Sequence, residues 1–223
     1  IIYNPFKTKL LVDSKNQGIK VVGGIEMLVA QAVKAVEFFE DIKVDDDLTN
    51  KIVNNIVNLK RNIVLIGMPG SGKSTIGKKL SKQLDMNLLE VDDLIKDKIS
   101  MSIKDYFEKY GESKFREVEK EVIKSLRNNT NSIISCGGGV IKNKENIDYL
   151  SRNGIIIFLD RNINKIAISN DRPLTQNKEQ LKKLYDERIN LYKEYSDIII
   201  SNDGSEKNTI EYINRELHLW LLH

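Results

Sequence analysis

The stretch IVLIGMPGSGKST, residues 63–75, decides the fold. It opens with a short β-branched run, IVLIG (63–67), of the kind that forms a buried strand. Gly67-Met-Pro-Gly-Ser-Gly-Lys73-Ser74 follows and matches G-x-x-x-x-G-K-[ST]. Apolar residues then recur at helical spacing, which predicts a helix over Ser74–Leu84. Strand, glycine-rich loop and helix in that order are the context a phosphate-binding loop requires. Glycines let the backbone wrap closely around phosphate oxygens and aim N–H groups at them. The helix N-terminus adds its positive end. Gly70, Ser71, Gly72, Lys73, Ser74 and Thr75 are therefore the candidate nucleotide contacts. Lys73 can reach the β- and γ-phosphates, and the Ser74 hydroxyl can ligate Mg²⁺. A plain glycine-rich turn before a helix is the alternative, and the full set of fixed positions in this context speaks against it.

Outward from this loop the chain keeps the same texture. Apolar runs NLLEV (87–91), SIISC (132–136), GIIIFLD (154–160) and DIIIS (197–201) alternate with helical patterns. Continuous apolar strands separated by helices imply a parallel sheet covered on both faces. Five such strands predict an α/β three-layer sandwich. Upstream, Glu26–Glu40 has apolar residues at helical spacing. Asp45–Asp47 look like the cap and first turn of another helix, running through Leu59. The best boundary lies in Asp41–Arg61, giving a helical extension over 1–60 and a second unit over 61–223.

Composition bounds the rest. The 223 residues are 40% apolar and 30% charged with a net charge of +3, which describes a globular chain and is too weak a charge to argue for nucleic acid. No apolar run is long enough for a membrane span. Cys136 is the single cysteine, so no intrachain disulfide is possible, and a reducing, cytoplasmic setting is expected. The opening residues lack the basic-then-apolar order of a secretory signal. There is no initiator methionine, which suggests a fragment of something longer.

A phosphate loop fixes the donor and leaves the acceptor open: GTPase, nucleotide kinase, metabolite kinase and ATPase all fit. No N-K-x-D run of the guanine-reading kind is present, since NINK (162–165) has the wrong order. Four features bear on the acceptor. Glu90-Val91-Asp92 ends the second strand, where a carboxylate could take a proton from a hydroxyl or hold Mg²⁺ through water; first-turn acids of a helix would look the same. Arg116 and Glu119, three apart on a helix, can pair, functionally or as a surface ion pair. Gly137–Gly139 after the third strand permit close backbone approach to a ligand, or form a flexible turn. Arg172, in a polar segment between two helices, could close on phosphates as a lid, or belong to an ordinary surface loop. Arg188 lies on the helix after it.

Taken together, GMPGSGKST (67–75), Asp92, FREVE (115–119), GGG (137–139), RPL (172–174) and Arg188 in RINLY resemble the shikimate kinase family over roughly Arg61 to Leu217. The resemblance implies a fold like that of nucleoside monophosphate kinases and transfer of the ATP γ-phosphate to the 3-hydroxyl of shikimate. Carried over, Asp92 would bind the hydroxyls and orient the nucleophile, and Arg116 and Arg188 would hold the carboxylate. Gly138 and Gly139 would meet the ring through backbone, Arg172 would be the lid arginine, and Glu119 would position Arg116. Two departures stand out. Glu90 occupies a place where the family usually has Asp, two residues before the hydroxyl-binding Asp92. No arginine stands just upstream of RPL, where the family often places one near adenine.

The first forty residues carry a shorter resemblance. GIEMLVAQAVKAVEFF (24–39), with Tyr3 upstream, is similar to the C-terminal end of shikimate dehydrogenase, where residues matching Tyr3 and Gln31 touch substrate. That implies the C-terminal portion of a bifunctional dehydrogenase–kinase, lacking the dinucleotide-binding fingerprint. The other implied partners are small molecules, shikimate and ATP.

Overall fold

Five strands form one sheet in the computed structural model, which describes residues 2–166 and 178–220. They are β1 (Asn62–Ile66), β2 (Asn87–Glu90), β3 (Ser132–Ser135), β4 (Gly154–Asp160) and β5 (Ile198–Ser201), all parallel, in the order β2-β3-β1-β4-β5. Every run expected to be a strand is one: GIIIFLD matches β4 residue for residue, and the other four are shifted or trimmed by one residue. β1 and β3 are buried throughout, as strands covered on both faces must be. The edge strand β5 alternates buried and exposed.

The covering helices are α4 (Lys73–Leu84), α5 (Val91–Ile99), α6 (Ile103–Ser125), α7 (Lys144–Leu150), α8 (Lys178–Tyr195) and α9 (Glu206–Trp220). One apolar layer joins Ile76 and Leu80 of α4 to Ile210 and Ile213 of α9 and to one face of the sheet. The opposite layer joins α5, α6, α7 and α8 through Ile95, Phe115, Ile147 and Leu184. The three-layer expectation therefore holds. The helices leaving the neighbouring strands β1 and β3, which are α4 and α7, go to opposite faces. Their loops diverge, and the crevice between them at the carboxyl ends of the strands is where such sheets place ligands.

Ahead of the sheet lie α1 (Lys9–Asn16), α2 (Gly24–Glu40) and α3 (Asp46–Lys60). The Asp45 carboxylate accepts from the Asp47 amide and caps α3. α2 packs on α3 and buries Ile25 and Val29, while Phe38 and Phe39 remain about four-fifths exposed, at 82% and 80%. The N-terminal segment is tied to the amino ends of the strands, the end remote from the crevice. There the Phe6 amide donates to Asn153 Oδ1 at 2.8 Å, and Asn153 Nδ2 donates to Asn4 Oδ1 at 2.9 Å and to the Asn129 carbonyl at 3.1 Å. The Lys7 amide donates to the Arg152 carbonyl at 3.1 Å. Asn153 is buried, so its side-chain amide depends on these partners.

Asn153→Ala should cost about 1–3 kcal/mol, because it orphans the Phe6 amide. A thermal melt should show a lower Tm, and the Phe6 amide should exchange faster with solvent. An unchanged Tm and exchange rate would show that the tether contributes nothing.

Candidate active site

The phosphate loop is held from below. Gly72 has φ +96°, a conformation that a side chain would strain. A Cβ there would also stand 2.7 Å from Asn202 Nδ2. That amide donates to the Ser71 carbonyl at 2.6 Å, and Asn202 Oδ1 accepts from Thr209 Oγ1 at 2.7 Å. The pair Asn202–Thr209 thus fixes the loop to the far end of β5. Ser71 is fully buried and its amide donates to the Met68 carbonyl, so it shapes the loop from beneath rather than facing the hollow. Lys73 Nζ donates to the carbonyls of Gly67 and Met68, both at 2.9 Å.

A cleft of about 880 Å³ opens above the loop. Gly70, Gly72, Lys73, Ser74 and Thr75 line it together with Glu90, Asp92, Arg116, Gly138, Gly139 and Arg188. Residues scattered over more than a hundred positions thereby meet in one cavity. Arg172 lies outside the described residues.

Glu90 ends β2 and Asp92 sits in the first turn of α5, so both structural readings of this segment hold together. Ser74 Oγ donates to Glu90 Oε2 at 3.1 Å, which puts a hydroxyl and a carboxylate side by side at the loop. Asp92 is open to the cleft on one side and walled by protein on the others. Burial raises its carboxyl above the ordinary range, while Lys73 and Lys96 pull it back.

Arg116 is clamped. Its Nη1 donates to both oxygens of Glu119 at 2.8 and 2.9 Å, and its Nε and Nη2 donate to Glu112 Oε1 at 3.2 and 3.1 Å. Lys142 donates to the same Glu112 oxygen at 2.8 Å. Glu119 is only 1% exposed, so the 116–119 pair is a buried one rather than a surface ion pair. Burial opposes the charge on Arg116, and Glu119 and then Glu112 outweigh it, holding the guanidinium above its ordinary value. Burial pushes the Glu119 carboxyl up against the pull of Arg116. Glu112 went unnoticed in the sequence, although its place four residues before Arg116 on α6 was the available signal.

The triple glycine is needed for close approach, not for turning. A Cβ on Gly138 would stand 2.6 Å from Pro69 Cδ, and one on Gly139 would overlap the Arg116 guanidinium. The Gly138 carbonyl accepts from Arg188 Nη1 at 2.8 Å and from the Tyr192 hydroxyl. Tyr192 is fully buried and stacks on Phe158, and burial pushes its hydroxyl up to about 12. Sequence reasoning missed it too, one helical turn beyond Arg188. Arg188 is 3% exposed, yet its Nε finds no hydrogen-bond partner among the described residues. Burial pushes the Cys136 thiol far up, which removes it as a nucleophile. Among the described residues no helix is long and apolar enough to cross a membrane, and no cluster of three or more His, Cys, Asp or Glu could hold a metal.

A parallel α/β sheet with a phosphate loop at the end of its central strand, and a cation-lined hollow beside that loop, defines the class: a P-loop phosphotransferase acting on a small molecule. The sequence model described as "Shikimate kinase" matches residues 69–218. The chain is 41% identical to shikimate kinase of Clostridium botulinum (strain Alaska E43 / Type E3) over 161 residues, 70% of this chain and 97% of that protein. It is also 41% identical to shikimate kinase of Clostridium beijerinckii over 159 residues, 70% of this chain and 94% of the other. Among solved structures, Acinetobacter baumannii shikimate kinase in complex with shikimate aligns with TM-score 0.67 and 28% identity, over 75% of this chain and 97% of that one. Shikimate kinase from Aquifex aeolicus aligns with TM-score 0.63 and 33% identity, over 70% and 96%. The chain belongs to the shikimate kinase family.

Arg116→Met should destabilise the protein by about 3–5 kcal/mol at neutral pH, because it strands a buried carboxylate. A glutamate whose pKa is higher folded than unfolded weakens the fold as pH rises through the folded value and stops doing so below the unfolded one. The deficit should therefore shrink on acidification and vanish below the ordinary glutamate value of 4.5. Denaturant titrations across pH check this, and a deficit independent of pH would contradict it.

Proposed function

We propose that this chain transfers the γ-phosphate of ATP to the 3-hydroxyl of shikimate, giving shikimate 3-phosphate. The observation that carries this reading is the meeting, in one cleft, of the phosphate loop with two arginines suited to a carboxylate. The Glu112 and Glu119 contacts fix the orientation of Arg116, and Arg188 offers an Nε with no partner among the described residues.

In this reading Lys73 leaves the carbonyls of its own loop for the phosphate chain. Asp92 orients the acceptor hydroxyl and receives its proton, a task its raised pKa favours. Gly138 and Gly139 bring backbone against the ring, and Arg172 belongs with the phosphates. Phosphoryl transfer asks for positioning and charge neutralisation more than covalent help. The adjacent oxygens of Ser74 and Glu90 suit a hard cation that keeps several waters. Mg²⁺ held there, with Glu90 acting through water, would supply neutralisation of the phosphate charge.

We further propose that residues 1–60 are an extension related to the end of a shikimate dehydrogenase, followed by a kinase unit over 61–223, and that the enzyme works in the cytoplasm. The similarity around Tyr3 and Gln31 supports the first point; both side chains are exposed here. The unpaired, buried Cys136 suits a reducing compartment.

An ADP-release assay should show turnover with shikimate and Mg²⁺, none under chelation, and a fall of several orders of magnitude in Lys73→Ala. The neutral carboxamide of shikimate should bind roughly 30- to several-thousand-fold more weakly than shikimate, since it gives up the charge-assisted contacts to Arg116 and Arg188. Arg116→Lys should show the same loss for shikimate and no further loss for the carboxamide. Equal turnover of acid and amide would remove the assigned role of the arginines, and no turnover with shikimate would remove the reaction itself.

The pure chain should not reduce NADP⁺ with shikimate, because it contains no dinucleotide-binding fingerprint. Shikimate-dependent NADPH formation would contradict the fragment reading.

A further inference from the structure

Several cations line the cleft, and most already have a visible task. Lys73 rests on the carbonyls of Gly67 and Met68, Lys96 on Asp93, Arg116 on two glutamates, and Arg188 on the Gly138 carbonyl. Arg161 is different. It is the first residue after β4, it lines the cleft at the phosphate-loop end, and neither the motif nor the family resemblance drew attention to it. Its Nη1 lies 3.6 Å from the position a Cβ on Gly72 would occupy, so the guanidinium rests against the bare face of that glycine. Its Nε is buried and has no hydrogen-bond partner among the described residues.

The segment that carries Arg161 is held in place. The Asn162 amide donates to Asp203 Oδ1 at 2.8 Å, and Lys165 Nζ donates to the Asp203 carbonyl at 3.0 Å. The neighbouring Asn202 holds the phosphate loop through Ser71. Two consecutive residues after β5 therefore fix both the loop and the arginine, and set them against each other. A planar cation placed in advance beside loop amides has the geometry to meet phosphate oxygens with little ordering cost.

We propose that Arg161 is a nucleotide-binding residue that grips the phosphate chain of the donor from the β4 side, opposite Lys73. The proposal rests on the kinase reading of this cleft. Arg161 acts on the donor alone. The acceptor lies beside Arg116 and Arg188.

The test compares wild type, Arg161→Ala and Arg161→Lys by calorimetry with Mg-ADP, with inorganic tripolyphosphate and with shikimate. Arg161→Ala should weaken ADP and tripolyphosphate alike, by about tenfold or more, as expected for the loss of a charge-assisted contact. Arg161→Lys should recover part of the loss, shikimate affinity should stay at the wild-type value, and the KM for ATP should rise. Unchanged ADP affinity in Arg161→Ala overturns the proposal. A loss for ADP with tripolyphosphate unaffected also overturns it, since Arg161 would then read the base or sugar. A loss of shikimate affinity equal to that of ADP would mark a distorted cleft and overturn it as well. Wild-type protein that binds neither ADP nor tripolyphosphate would overturn the kinase reading, which separates that failure from failure at Arg161.

Discussion

Burial of β1 on both faces is the constraint on which the rest depends. Val64, Leu65 and Ile66 have no exposed surface, so the strand can display chemistry only where it ends. At that end the chain enters the phosphate loop, while neighbouring β3 ends in Gly137–Gly139 and its helix leaves to the other face. The cleft exists because these two exits diverge. Its depth depends on glycines that let Pro69 and the Arg116 guanidinium close on the backbone of the second exit.

Around this crevice the charges are arranged in pairs and braces. Glu119 and Glu112 clamp Arg116, and Lys142 balances Glu112. The Gly138 carbonyl gathers Arg188 and Tyr192, tying α8 to the end of β3. Asn202, with Thr209 behind it, ties the end of β5 to the loop after β1. The Arg116 clamp is local to α6, but the other braces join elements far apart in sequence, so the cleft is fixed largely by tertiary contacts. A group held by several elements keeps its orientation when empty, which is the condition for electrostatic stabilisation without reorganisation at the moment of reaction.

The sequence made the sheet legible because its strands read as continuous apolar runs, a signal that survives without neighbours. The strand order was not legible, since a run such as SIIS (132–135) carries no mark of the strand it will lie beside. The loop residues were found because phosphate binding dictates their types and spacing. Tyr192 and Asn202 were missed for a shared reason: each acts on a partner that only folding brings near. Glu112 is different, since its spacing from Arg116 was legible in principle. The ion pair at Arg116 shows the limit of pattern reading. Spacing gave the partners, but whether the pair lay on the surface or inside depended on what α6 packs against.

Lys73 has a consequence beyond its place in the motif. Its ammonium donates to two carbonyls of its own loop, so the protein itself supplies part of the solvation of that charge. Entry of an anion then exchanges one set of oxygens for another and need not strip water from a bare charge. The gain in such an exchange lies in the negative charge of the newcomer more than in a count of contacts. A hollow that solvates its own cation favours ligands by their charge density, and it is poorly disposed to hold neutral molecules of the same shape.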